Sequence, residues 1–105
     1  MAQIERFMFY YIDTVTEKRF GEAMDLAKQM LEVCEDESAP VIEGLISAAN
    51  SLECLKMGEF DRVEELWNAF EESKKFLMPQ NRHYALLLET TLVLENIKEE
   101  IEKIV

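Results

Sequence analysis

Apolar positions recur along the chain at the three- and four-residue intervals of an α-helix, and breaks in that rhythm divide it into five helical segments. The first runs from about Ala2 to Thr16, with Ile4, Phe7, Met8, Tyr11, Ile12 and Val15 on one stripe. Phe9 and Tyr10 flank that stripe, so either a neighbouring helix or a partner subunit must cover them. The second segment runs from about Arg19 to Glu35. Phe20, Ala23, Met24, Ala27, Leu31 and Cys34 face one way, with Leu26, Met30 and Val33 beside them. In the EDESAP stretch that follows, Ser38 is placed to cap a third helix and Pro40 to sit in its first turn.

The third segment, about Pro40 to Met57, reads as central. Val41, Leu45, Ala48, Leu52 and Leu55 form its main stripe, with Ile42, Ile46 and Ala49 alongside. Gly44, Ala48 and Ser51 form a ridge of small side chains. A mid-helix glycine costs about 1 kcal/mol against alanine, so a close helix–helix approach is expected there. Gly58 is suited to a left-handed helix end. The fourth segment, about Glu59 to Leu77, groups Phe60, Val63, Leu66, Trp67 and Phe70 on an inner face, and Met78–Pro79–Gln80 breaks it.

The fifth segment, about Asn81 to Ile104, is the longest. Its first half, YALLLETTLVLENI, is apolar round most of its circumference and is expected to be buried. Leu87, Thr90, Leu94, Ile97, Ile101 and Ile104 follow a heptad seam with one polar slot. That seam either packs along the first helix or projects and pairs with another chain.

The chain therefore reads as a single all-α domain over its 105 residues, a five-helix bundle of two antiparallel helical hairpins plus a long C-terminal helix. An offset of 40 aligns Ile12, Val15, Phe20, Ala23, Leu26 and Met30 with Leu52, Leu55, Phe60, Val63, Leu66 and Phe70. Each set spans a helix end, a tight turn and the next helix, the pattern of a repeated helical hairpin.

Composition strengthens the helical reading. Three glycines and two prolines are too few for a β-rich domain, and 18 of the 22 acidic residues are Glu, the better helix former. The net charge of −11 disfavours nucleic acid, whose phosphates call for clustered Lys and Arg, and anionic membrane surfaces for the same reason. No apolar run approaches the ~20 residues of a membrane span. MAQIER lacks the basic start of a signal peptide. Cys34 and Cys54, without a CxxC, read as reduced thiols, and a cytoplasmic location is expected.

Candidate chemistry is sparse. His83 has no HExxH, ExxH or neighbouring Cys and is expected to be exposed or to cap a helix. Cys–His–Asp catalysis would need Cys34 or Cys54 to reach His83, and acidic surroundings would raise either thiol's pKa. Paired carboxylates at helical spacing resemble the magnesium-holding ExxE and ExxD pairs of all-α nucleoside triphosphate pyrophosphatases. Glu22, Asp25 and Glu43 are the candidates for such a hydrolase, provided they face inward.

GLISAANSLECLKMGEF, residues 44–60, resembles the central segment of the domain-of-unknown-function family 309, a small all-helical family. Gly44, Leu45, Ile46, Ala49, Leu52, Leu55 and Gly58 match its spacing, and Glu22-Ala23-Met24-Asp25 stands where that family has EAHE. The resemblance covers residues 19–77. Met24 and Cys54 replace the family's histidines, Ser47 its Gln and Glu59 its Asn, so packing and turn residues match while polar ones do not. The family implies a helical fold and lends no activity. Gly58-Glu59-Phe60 with Val63, and Phe20 with Ala23, also resemble tetratricopeptide-type hairpins, although the 40-residue offset exceeds that repeat's ~34.

The functional expectation is a non-enzymatic interaction or self-association module without a cofactor, its partner a second copy or another protein. Phe9, Tyr10, Leu94, Ile97, Ile101 and Ile104 are the candidate interaction residues. The alternatives are the magnesium-dependent hydrolase and a small-molecule or lipid-binding bundle with a cavity among Met8, Met24, Met30 and Trp67.

Overall fold

The structure, a computed structural model, describes residues 3–104 and holds no strand among them. Five α-helices follow in order: α1 Gln3–Thr16, α2 Phe20–Val33, α3 Ala39–Met57, α4 Val63–Ser73 and α5 Tyr84–Ile104. Ala2, where the first helix was expected to begin, lies outside the described residues. One-turn 3-10 helices, Phe60–Arg62 and Lys74–Phe76, flank α4 where sequence periodicity predicts one continuous helix. Asn81 Nδ2 donates to the Phe76 carbonyl at 3.0 Å and the Asn81 N–H to the Met78 carbonyl at 2.9 Å. These bonds hold residues 78–83 in a turn and delay α5 to Tyr84.

α3 is the centre, packed most extensively on α4 and α2, while α2 also packs on α1 and α5 closes over α1 and α3. The ridge of small residues explains the tightest of these approaches. A Cβ built on Gly44 would lie 1.8 Å from Ser73 Oγ and 2.5 Å from its Cβ. One end of the same ridge has Ser51 Oγ donating to the Val63 carbonyl at 2.8 Å. Gly44 against Ser73 and Ser51 against Val63 fix α3 and α4 antiparallel. Tyr11, fully buried, ties α1 to α3 through a 2.7 Å hydrogen bond from its hydroxyl to the Leu45 carbonyl, and burial raises its pKa well above the ordinary tyrosine value.

The 40-residue repeat is present in the backbone. At the end of α1, Lys18 takes a left-handed φ of 62°; the Arg19 N–H reaches back to the Thr14 carbonyl and the Lys18 N–H to that of Val15. At the end of α3, Gly58 takes φ 79°; the Glu59 N–H reaches Cys54 and the Gly58 N–H reaches Leu55. Both are Schellman closures. The residues that follow share one conformation, Arg19 at φ −94°, ψ 68° and Glu59 at φ −93°, ψ 73°. At α3's start, Ser38 occupies the capping position, but its side chain makes no cap; Asp36 Oδ1 accepts the Ser38 N–H at 2.9 Å instead.

α5 runs parallel to α1: Glu5 lies beside His83 near their first turns, and Lys18 Nζ lies 4.0 Å from Glu100 near their ends. The molecule measures 37 × 24 × 20 Å, and the 21 residues of α5 span about 32 Å at ~1.5 Å each. The expected overhang does not occur. Leu87, Thr90, Leu94, Ile97 and Ile101 are all buried, so the heptad seam is satisfied within the chain as far as Ile101, and only its last member, Ile104, is exposed. Leu94, Ile97 and Ile101 are therefore core residues of the bundle and not part of a free interaction surface. Phe60, expected on the inner face, is 55% exposed because its 3-10 turn leads α4 in from the outside.

Candidate functional site

Three places bear on function. The first is the set of carboxylates. Glu22, Asp25 and Glu43 are all exposed, and Glu22 pairs with Arg19, the residue just before α2. Among the described residues, no three His, Cys, Asp or Glu side chains converge in a geometry that could hold a metal ion. The pairs face water because the apolar stripes of α2 and α3 occupy the inner sides of those helices. The inward cluster on which the hydrolase reading depends is not formed by these residues.

The second place is a polar cleft of about 330 Å³ where the start of α1, the end of α2 and the start of α5 meet, lined by Ile4, Cys34, Asp36, Arg82 and His83 among others. Here the fold assembles what the sequence held far apart. His83 was expected to be exposed or capping; its carbonyl does accept the Leu87 N–H that opens α5, but its ring is buried, with Nδ1 3.3 Å from Glu5 Oε2, 78 positions away. Cys34 Sγ donates to Asp36 Oδ1 at 3.4 Å. Burial raises the Cys34 pKa, and the Asp36 and Glu37 carboxylates push in the same direction. Burial opposes ionisation of Asp36, but the Ser38 N–H and Cys34 S–H that donate to it, with His83 nearby, hold its carboxyl below the usual range. A nucleophilic cysteine needs the reverse polarity: a lowered thiol pKa beside a base. Cys34 and His83 thus share a cleft in which the thiol is kept protonated. Cys54 is buried in α3, and both cysteines are free.

The third place is apolar. A shallow groove of about 400 Å³ runs between α1 and α5, lined by Glu5, Phe9, Ala85, Leu86 and Glu89. Phe9 is 46% exposed, so neither α2 nor α5 covers it, and Leu88 and Leu92 extend the apolar surface from Ala85 along the outer side of α5 at 36% and 52%. Tyr10 is exposed on another side of α1, and Ile104 is exposed at the end of the α5 seam. The first half of α5 is therefore not wholly buried, as its composition suggests. A helix packed between α1 and α3 on one side keeps its opposite face in water, and Leu88 and Leu92 fall on that face. Their spacing of four residues was visible in the sequence, but a helix apolar all round does not say which side is outside.

Met8 and Met30 are fully buried and Trp67 nearly so, with Met24 packed against the same core. None of them lines the polar cleft or the α1–α5 groove. Trp67 packs tilted against Phe70, with ring centroids 4.8 Å apart, and carries Lys98 Nζ 5.0 Å from its ring centre. Filled packing of this kind leaves these residues without a ligand cavity.

No protein-family model matches the chain, and neither curated proteins nor solved structures give a significant match. No helix among the described residues is long and apolar enough to cross a membrane.

Proposed function

We propose that this protein is a non-enzymatic interaction module that presents the α1–α5 face to another polypeptide. The observation that carries this reading is the α1–α5 groove, where exposed Phe9 faces Ala85 and Leu86, with Leu92 and Leu88 exposed further round α5. Scattered exposed apolar residues are ordinary, whereas an apolar surface gathered on one face and bordered by polar side chains is the usual mark of a binding surface. Aromatic and leucine side chains are also the anchors on which interface affinity concentrates. The carboxylates give no comparable support to a hydrolase, because Glu22, Asp25 and Glu43 point into solvent.

Site-specific photo-cross-linking in the native cell tests the reading. A photoreactive residue at Phe9, Leu88 or Leu92 is expected to give polypeptide adducts well above those from Glu64, on the exposed side of α4. Equal yields at all four positions would show that the face has no special role.

A further inference from the structure

We infer that the occupant of the α1–α5 groove is a cationic amphipathic helix and not a second copy of this chain; this deepens the interaction reading and rests on it. The argument is electrostatic. Glu89 lines the groove beside Phe9, as does Glu5, whose carboxylate also meets His83, and Asp13 is exposed one turn further along α1. Arg6 is the only basic residue of α1, and α5 has no Lys or Arg from Tyr84 to Ile97. The chain as a whole carries −11.

Pairing two copies through this patch would set one acidic border against another, the isologous geometry of a two-fold dimer. Like charges brought together at an interface oppose association. The seam that offered the best basis for self-pairing, Leu94, Ile97 and Ile101, is already covered inside the bundle. A helix with apolar side chains at i, i+3, i+4 and i+7 suits a groove between two helices, and lysines or arginines on its flanks would meet the acids at the border. Long-range attraction to a chain of −11 would also speed encounter and make it salt-sensitive.

The test titrates isotope-labelled full-length protein with a Leu/Lys peptide of that pattern and follows amide shifts. A scrambled peptide of the same composition and a Leu/Glu counterpart serve as comparisons. The expected result is saturable binding of the patterned Lys peptide alone, with shifts centred on Phe9, Ala85, Leu86 and Glu89. Leu92→Ser and Glu89→Lys, both at exposed positions, should each weaken it about ten-fold or more, a change of about 1.4 kcal/mol. Raising salt from about 0.05 M to about 0.5 M should also weaken it. Equal binding of the scrambled peptide, shifts spread equally over α4, or binding of the Glu peptide would each overturn the inference. A concentration-dependent dimer of the protein alone, broken by Leu92→Glu, would make a second copy the occupant and overturn the partner class while the interaction reading stands. Absence of cross-links at this face would remove both.

Discussion

The two hairpins, α1–α2 and α3–α4, share a turn and differ in what surrounds it. Lys18 and Gly58 close their first helices in the same left-handed conformation, and a phenylalanine follows two residues later in each case. Phe20 is fully buried and Phe60 is 55% exposed. The backbones part just after the shared turn, where Phe20 opens the α-helix α2 and Phe60 a 3-10 turn ahead of α4. The first hairpin is covered: α3 lies along α2, Lys56 Nζ donates to the Lys18 carbonyl at 2.9 Å and sits 5.9 Å from the Phe20 ring. Phe60 is left largely uncovered by the described residues. Equal turn chemistry therefore gives equal helix closures, and the element that follows and the neighbours that cover it decide which side chain becomes core.

The comparison is broken most directly by truncating each phenylalanine. Phe20→Ala should lose about 3–5 kcal/mol of stability in denaturant unfolding, the usual range for a buried phenylalanine. Phe60→Ala should lose less than about 1 kcal/mol, since little area returns to water. Equal losses would mean that the two turns are equally covered.

A second expectation concerns the tightest contact in the second hairpin. Gly44→Ala drives a methyl into Ser73 and should cost about 3 kcal/mol, near the top of the usual overpacking range. The double change with Ser73→Gly should recover part of that loss, because it removes the atoms in conflict. A neutral Gly44→Ala would show that α3 and α4 do not approach so closely.

The smallest effects separate the two turns themselves. Gly58→Ala should destabilise by about 1 kcal/mol, because φ 79° strains any residue with a Cβ. Lys18→Gly should stabilise by less than about 1 kcal/mol by relieving the same strain, offset by the entropy of the added glycine. Its long pair with exposed Glu100 adds little either way. Opposite signs from thermal melts of the two variants would confirm that the turns are equivalent.

Much of this architecture was legible beforehand. The five helices, the need for a small residue at Gly44, the helix end at Gly58 and the 40-residue echo all follow from local spacing and turn chemistry. The candidate site was less legible. Phe9 and Tyr10 stood out because they miss the stripe of α1, and they are exposed. Leu88 and Leu92 did not stand out, because the first half of α5 is apolar all round and periodicity has no contrast to read there. Leu94, Ile97 and Ile101 were candidate interaction residues because the heptad seam of the long fifth helix could project and pair with another chain. The turn held by Asn81 shortens that helix, and α1 lies parallel along it.

Alone, the sequence determined which residues are helical, where each hairpin turns and which stripe of each amphipathic helix avoids water, because those properties depend on neighbours within about four positions. Only the tertiary structure decided what covers each stripe. It placed His83 against Glu5 and Cys34 in the same cleft, hid the seam of α5 and left Phe9, Leu88 and Leu92 facing out. Those outcomes depend on helices distant in the chain, and burial is a property of the assembled bundle that no single helix carries.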